Sequence, residues 1–216
     1  MGYKIRNVGL PFEGPPEYLL ESISKDFDFR EEKAQKFKRV VMAPGRFQPP
    51  HAGHEDMIRE LVRFAKTLKA KPVILVVAGS SLSEKNPLSG NSRKKFLQPV
   101  FRGVEIVIAD NPYKATEQFY KEGRIPVGLI AGSDRVTGYK RLGDFYQIPG
   151  FKVKGLKRDP DSQGSSSFSA SQVREAVVEG QLDLFLTMMP RAMSAASAKK
   201  LWKELSKVLA KNSRGI

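Results

Sequence analysis

Arg39-Val40-Val41-Met42-Ala43-Pro44-Gly45-Arg46-Phe47-Gln48-Pro49-Pro50-His51-Ala52-Gly53-His54 is the stretch that decides how this chain folds. It opens on a short apolar run, and Pro44-Gly45 forces a turn, so a strand is predicted over 39–43. Beyond it, Met57, Ile58, Leu61, Val62, Ala65 and Leu68 recur at helical spacing, with Arg59, Glu60, Arg63 and Lys66 on the opposite face. That spacing predicts an amphipathic helix beginning near His54. Residues Pro72 to Ala78 then form a nearly unbroken apolar run, the pattern of a strand covered on both faces in a parallel sheet. Strand, helix and strand make a βαβ unit.

The alternation continues along the chain. A helix is predicted over 91–101, a strand over 104–109, a helix over 115–121 and a strand over 126–131, with a weaker strand over 151–155. The fold class is therefore α/β, an open parallel sheet with helices on both faces. Residues 157–167 are rich in Asp, Pro, Gly and Ser and read as an exposed loop, followed by a helix over 169–179.

On either side of the core the pattern changes. Residues 1–38 lack a clean period and are read as an N-terminal extension, with one short amphipathic helix over 17–29. Residues 39–190 form the core domain. In the tail, residues 191–216, Leu201, Trp202, Leu205, Val208 and Leu209 lie on one stripe and Lys199, Lys200, Lys203, Lys207 and Lys211 largely off it, which predicts a basic amphipathic helix.

At 216 residues the chain can bury one sizeable core. No apolar run approaches the ~20 residues that span a bilayer, and no secretory signal is visible, so a cytoplasmic protein without a membrane partner is expected. The absence of cysteine excludes a disulfide framework, a thiolate metal site and a cysteine nucleophile. A net charge of +14 favours polyanions, whether nucleotide phosphates, nucleic acid or an acidic protein surface. Charge alone does not choose among them.

Chemistry concentrates at the first strand-to-helix junction. The only two histidines of the chain, His51 and His54, lie there. In a doubly wound sheet this crevice receives ligands, and a helix N-terminus offers N–H groups and the positive end of a dipole to phosphate. Zinc on an HxxH pair would want a further ligand, and with no other His or Cys only Asp or Glu could supply it.

The segment resembles the HxGH signature of the nucleotidyltransferase superfamily, and GRFQPPHAGH is similar to the GRFQPFHxGH form of nicotinamide mononucleotide adenylyltransferases. Downstream, Phe168-Ser169-Ala170-Ser171-Gln172-Val173-Arg174 resembles the family's ISxTxxR signature, with serine in place of threonine. Ser169 and Gln172 have capping-box spacing, so a helix should start there. Ala131-Gly132-Ser133-Asp134-Arg135 resembles a GxD turn near ribose or base, and Lys85-Asn86-Pro87-Leu88-Ser89 with Arg93 resembles the NPF/L segment on the acceptor side. With Arg158-Asp159-Pro160-Asp161, the set is similar to nucleotidyltransferase-like proteins encoded by bacteriophages, which implies host cytoplasm or virion as the location.

The resemblance covers residues 39–190 and implies a Rossmann-like fold. It implies transfer of a nucleoside monophosphate, AMP favoured over CMP, from a nucleoside triphosphate to a phosphomonoester acceptor with release of pyrophosphate. His51, His54 and Arg174 would be catalytic. Gly45, Arg46, Phe47, Gly53, Gly132, Asp134, Ser169 and Ser171 would bind the nucleotide, and Asn86 and Arg93 the acceptor. Mg²⁺ would travel with the triphosphate, ATP favoured, without ligands from protein side chains alone. HAGH also resembles the HIGH signature of class I aminoacyl-tRNA synthetases, but no KMSKS-like lysine motif stands at the second site.

The alternative is a structural or nucleic-acid-binding protein that keeps the fold with little catalysis, meeting a polyanion, nucleic acid or virion assembly through the basic tail. A homo-oligomer is compatible with either reading.

Overall fold

The computed structural model describes residues 37–78, 82–156 and 168–212. Except for its last two residues, the N-terminal extension lies outside the described residues, as do the helix expected over 17–29 and the loop over 157–167.

Five strands form one parallel sheet: β1 (Lys38–Gly45), β2 (Lys71–Val77), β3 (Glu105–Ala109), β4 (Arg124–Gly132) and β5 (Lys152–Leu156), in the order β3-β2-β1-β4-β5. Between them run α1 (His54–Thr67), α2 (Gly90–Leu97), α3 (Pro112–Lys121) and α4 (Val136–Phe145). After β5 come α5 (Ala170–Val178), α6 (Leu182–Thr187) and α7 (Ala195–Asn212). Val40 to Ala43 in the central strand and Val73 to Val76 beside it have no exposed surface, which is why both segments read as apolar runs rather than alternating ones.

The order reverses at β1. The chain steps outward to β2 and β3, then returns to pair β4 on the other side of β1, so the loops leaving β1 and β4 diverge and open a crevice at their carboxyl ends. The His51-to-His54 stretch leaves β1 at this switch point, and the Gly132-Ser133-Asp134-Arg135 turn leaves β4 beside it.

The register of β1 on β4 shifts between Val40 and Val41, where Pro126 and then Gly128 are the partners. Proline has no N–H for the ladder, and a local irregularity lets a central strand accept one.

Boundaries differ where local chemistry outweighs the apolar period. The third helix starts at Pro112, three residues before the expected Ala115, because the Asn111 side chain accepts from the Lys114 N–H at 2.9 Å and proline fits the first helical turn. The second ends at Leu97 rather than Phe101, with Pro99 just beyond. Helix α4 carries Gly138 and Gly143, residues that weaken a helical reading, and the Phe151 ring packs so close to Gly143 that a Cβ there would stand 2.6 Å from it.

The basic tail forms α7 as expected, and its apolar stripe is core. Ala198, Leu201, Leu205 and Leu209 pack with Phe96 of α2, Val173 and Val177 of α5 and Phe185 of α6. Lys199, Lys200, Lys203 and Lys207 stay exposed on the other side. Among the described residues no helix is long and apolar enough to cross a membrane.

Candidate functional site

The loop after β1 is built inward from its glycines and aromatic ring. Phe47 adopts a left-handed backbone (φ 50) and is 1% exposed; its ring closes over Gly45, where a Cβ would stand 2.7 Å from it. That ring lies 4.7 Å from the His54 ring, which in turn lies 3.9 Å from the His51 ring. His51 is buried and its Nδ1 accepts from the Gly53 N–H at 3.1 Å. His54 Nδ1 accepts from the His51 N–H at 3.2 Å, with the His51 carbonyl oxygen at the same distance. In a neutral ring, acceptance at Nδ1 leaves the His51 proton on Nε2 at the ring's far edge, whereas His54 Nδ1 faces both the N–H and the carbonyl oxygen of His51 and takes either role with its tautomer.

The downstream motif is fastened to this loop. Ser169 caps α5 with a complete capping box: its hydroxyl accepts from the Gln172 N–H at 3.3 Å and Gln172 Oε1 accepts from the Ser169 N–H at 2.8 Å. One residue earlier, the Phe168 carbonyl approaches Gly53 so closely that a Cβ there would stand 2.7 Å from that oxygen. Arg174 donates Nη1 to the Gln48 carbonyl at 2.6 Å and Nη2 to the Ser171 hydroxyl at 3.1 Å. Burial, and then the charge of Arg46, lower the Arg174 pKa, so the two guanidinium groups feel one another.

The Asn86-to-Leu88 segment is joined to the same loop from the other side. The Gln48 amide is buried, donating to the Leu88 carbonyl at 2.7 Å and accepting from the Leu88 N–H at 3.0 Å. Asn86 Oδ1 is buried and has no hydrogen-bond partner among the described residues.

Arg93, expected to touch the acceptor, bonds to backbone carbonyls through Nε and Nη1. It is 2% exposed and donates Nη1 to the Arg46 and Val77 carbonyls at 2.6 and 2.8 Å and Nε to the Ser89 carbonyl at 3.2 Å. It braces the loop after β1 against the end of β2 and the start of α2, and burial lowers its pKa. Replacing Arg93 by Met should cost about 2 kcal/mol of stability, because buried carbonyls lose their donor. Denaturant unfolding checks this, and an unchanged midpoint would deny the brace.

Among the described residues Arg46, Arg93 and Arg174 make no ion pair with a carboxylate. The site thus concentrates positive charge and N–H donors around one loop, a composition suited to phosphate. Asp134 is exposed in the turn after β4, 3.7 Å from Arg135, and Gly132 lies against it. No three His, Cys, Asp or Glu residues among the described ones converge to hold a metal ion. A groove of about 650 Å³ between α1, α4 and β5, lined by Phe64, Phe151 and Lys154, contains none of these residues.

Spacing gave no warning of the Gln48 bonds or the Arg93 brace. Gln48 is the one long polar residue in an otherwise apolar Phe47-to-Pro50 string, and that is the only trace either leaves in the sequence.

A strand-to-helix loop carrying a bonded histidine pair, joined to a serine- and arginine-bearing helix start at a parallel-sheet switch point, defines a nucleotidyltransferase-type domain. The family model described as cytidylyltransferase-like matches residues 42–176, from β1 into α5, and the chain belongs to that family.

Among solved structures, a macrolide-efflux protein from Streptococcus pneumoniae is similar at 17% identity and a TM-score of 0.47, over 70% of this chain and 56% of that one. The chain thus spans little more than half of that protein. A protein with unknown function from Archaeoglobus fulgidus is similar at 20% identity and a TM-score of 0.35, over 58% of this chain and 94% of that one. No curated protein matches the chain.

Proposed function

We propose that the chain transfers a nucleoside monophosphate, AMP in preference to CMP, from a nucleoside triphosphate to a phosphomonoester acceptor and releases pyrophosphate. The observation that carries this reading is the convergence of both motifs on one loop: Phe168 and Arg174 meet Gly53 and Gln48, beside the stacked His51 and His54 rings.

An acceptor phosphate oxygen attacks the α-phosphorus in line, and the bond to the pyrophosphate oxygen breaks. Because the nucleophile is already ionised, no general base is required, and the protein contributes positioning and charge stabilisation. His51 and His54 donate to oxygens that gain charge as pyrophosphate departs. Arg46, Arg174, Ser169 and Ser171 hold the triphosphate, the serines through hydroxyl protons that their bonds to Gln172 N–H and Arg174 leave unspent. Asn86 offers its amide to the acceptor. Gly132 and Asp134, at the end of β4, border the ribose or base side.

The donor set is cationic and N–H bearing, which fits an anion rather than a bare metal, so Mg²⁺ would be carried by the triphosphate. Bound there, Mg²⁺ neutralises phosphate charge.

Purified chain with Mg²⁺, ATP or CTP and a panel of phosphomonoesters including nicotinamide mononucleotide should release pyrophosphate. No release across a broad panel would overturn the reading.

A second reading, a nucleic-acid contact, is favoured by one observation. The exposed face of α7 presents Lys199, Lys200, Lys203 and Lys207, none of them ion-paired among the described residues. Because α7 shares the core, the test is substitution of these four lysines by Gln rather than removal of the tail. Salt-sensitive binding to single-stranded or duplex nucleic acid should weaken, and equal affinity would dismiss this face.

A further inference from the structure

We propose that Gln48 is a positioning residue that sets the register of the acceptor segment, Asn86 to Leu88, against the triphosphate loop. The inference rests on the function proposed above for the roles of the two segments, but the tie itself rests on geometry. A buried amide is unfavourable unless its donor and acceptor are both satisfied. Gln48 satisfies both on a single residue, giving Nε2 to the Leu88 carbonyl and taking the Leu88 N–H on Oε1, across 40 positions of sequence. An apolar side chain of similar length would fill the same space without fixing register. The paired bonds do fix it, because sliding the segment by one residue breaks both.

The backbone of the loop is held as firmly as its side chain. Arg174 grips the Gln48 carbonyl from α5, and Arg93 grips the Arg46 carbonyl from α2. Gln48 is therefore the point where the two signature motifs and the acceptor segment meet. Leu88 itself is 1% exposed, so the segment is pinned at that end, while Asn86 Oδ1, without a hydrogen-bond partner among the described residues, lies two residues before it. In-line transfer depends on the distance between acceptor oxygen and α-phosphorus, and Gln48 is the side chain that spans the elements carrying the two.

The test uses Gln48→Met, which keeps length and removes both bonds, in the full chain. Three quantities are read: the affinity for MgATP by calorimetry, KM for the acceptor and kcat from pyrophosphate release, and amide hydrogen exchange at Leu88. The expected result is acceptor KM raised about tenfold or kcat lowered by a similar factor, with nucleotide affinity within about twofold of wild type. In the wild type, Leu88 exchanges slowly; in the variant it exchanges at least about tenfold faster. Unchanged acceptor KM and kcat in an active, folded variant would overturn the positioning role while leaving the enzyme reading intact.

If the wild type releases no pyrophosphate with any acceptor, the enzyme reading falls and the exchange measurement decides the tie alone. Slow Leu88 exchange in the wild type made fast by Gln48→Met upholds it, and fast or unaltered exchange overturns it. Should Gln48→Met fail to fold, the wild-type rate at Leu88 still decides: an unprotected amide overturns the tie, and a protected one upholds it.

Discussion

Replacing His54 by Ala will lower the rate of pyrophosphate release by ~100-fold or more, the scale of removing one donor aimed at developing transition-state charge. The expectation follows from how the ring is held. Phe47 and His51 flank it, and its Nδ1 lies 3.2 Å from the His51 backbone, so in the proposed reaction it would meet the phosphate without searching for an orientation. Because the bond to pyrophosphate breaks at the transition state, kcat should carry most of the loss and the nucleotide KM little of it. Loss of the ring contacts costs about 1 kcal/mol of stability, too little to unfold a domain of this size. Steady-state kinetics with a folded variant checks the expectation, and unchanged activity would refute the assigned role.

Gly53→Ala will be comparably damaging for a different reason. The new Cβ would stand 2.7 Å from the Phe168 carbonyl oxygen and 2.9 Å from His51 Cε1 and Nδ1. Neither neighbour is a flexible side-chain end. One is backbone at the entrance to α5, and the other is a buried ring bonded to the Gly53 N–H itself. The two motifs must part, or His51 must turn, and a misplacement of about 1 Å in a phosphoryl-transfer site is worth on the order of 100-fold in rate. Here nucleotide affinity should fall as well, because Ser169, Ser171 and Arg174 move with Phe168. Calorimetric titration with MgATP beside the kinetic assay separates the two substitutions: His54→Ala spares binding, Gly53→Ala does not. Wild-type binding in Gly53→Ala would mean that the contact between the motifs is not needed.

The parts of this fold legible in the sequence are those whose physics is local. Strands buried on both faces announce themselves as Val40–Ala43 and Val73–Val76 do, and amphipathic helices as Leu61, Ala65 and Leu201, Leu205 do. The capping box at Ser169 and Gln172 was readable because it is a three-residue relation. Helix α4 was not, since Gly138 and Gly143 dilute its period and close packing of Phe151, not propensity, justifies one of them. The six-residue α6 is too short to show a period.

At the site the same division holds. The histidine pair and the Ser169–Arg174 segment stand out as contiguous strings, whereas neither the 2% exposure of Arg93 nor its carbonyl partners, up to 47 positions away, leave any mark on spacing. The Gln48 tie to Leu88 escaped for the same reason.

That the loop after β1 is a triphosphate cradle is the central claim, and the chain offers a direct way to test it. It has only two histidines, so the imidazole region of its NMR spectrum holds two ring systems, both belonging to the site. Titration with MgATP and, separately, MgCTP should shift both His51 and His54 resonances together and saturably, half-way at ~1 mM or below, the upper end of ordinary substrate constants. Imidazole resonances that stay fixed with both nucleotides at concentrations well above that range would contradict it.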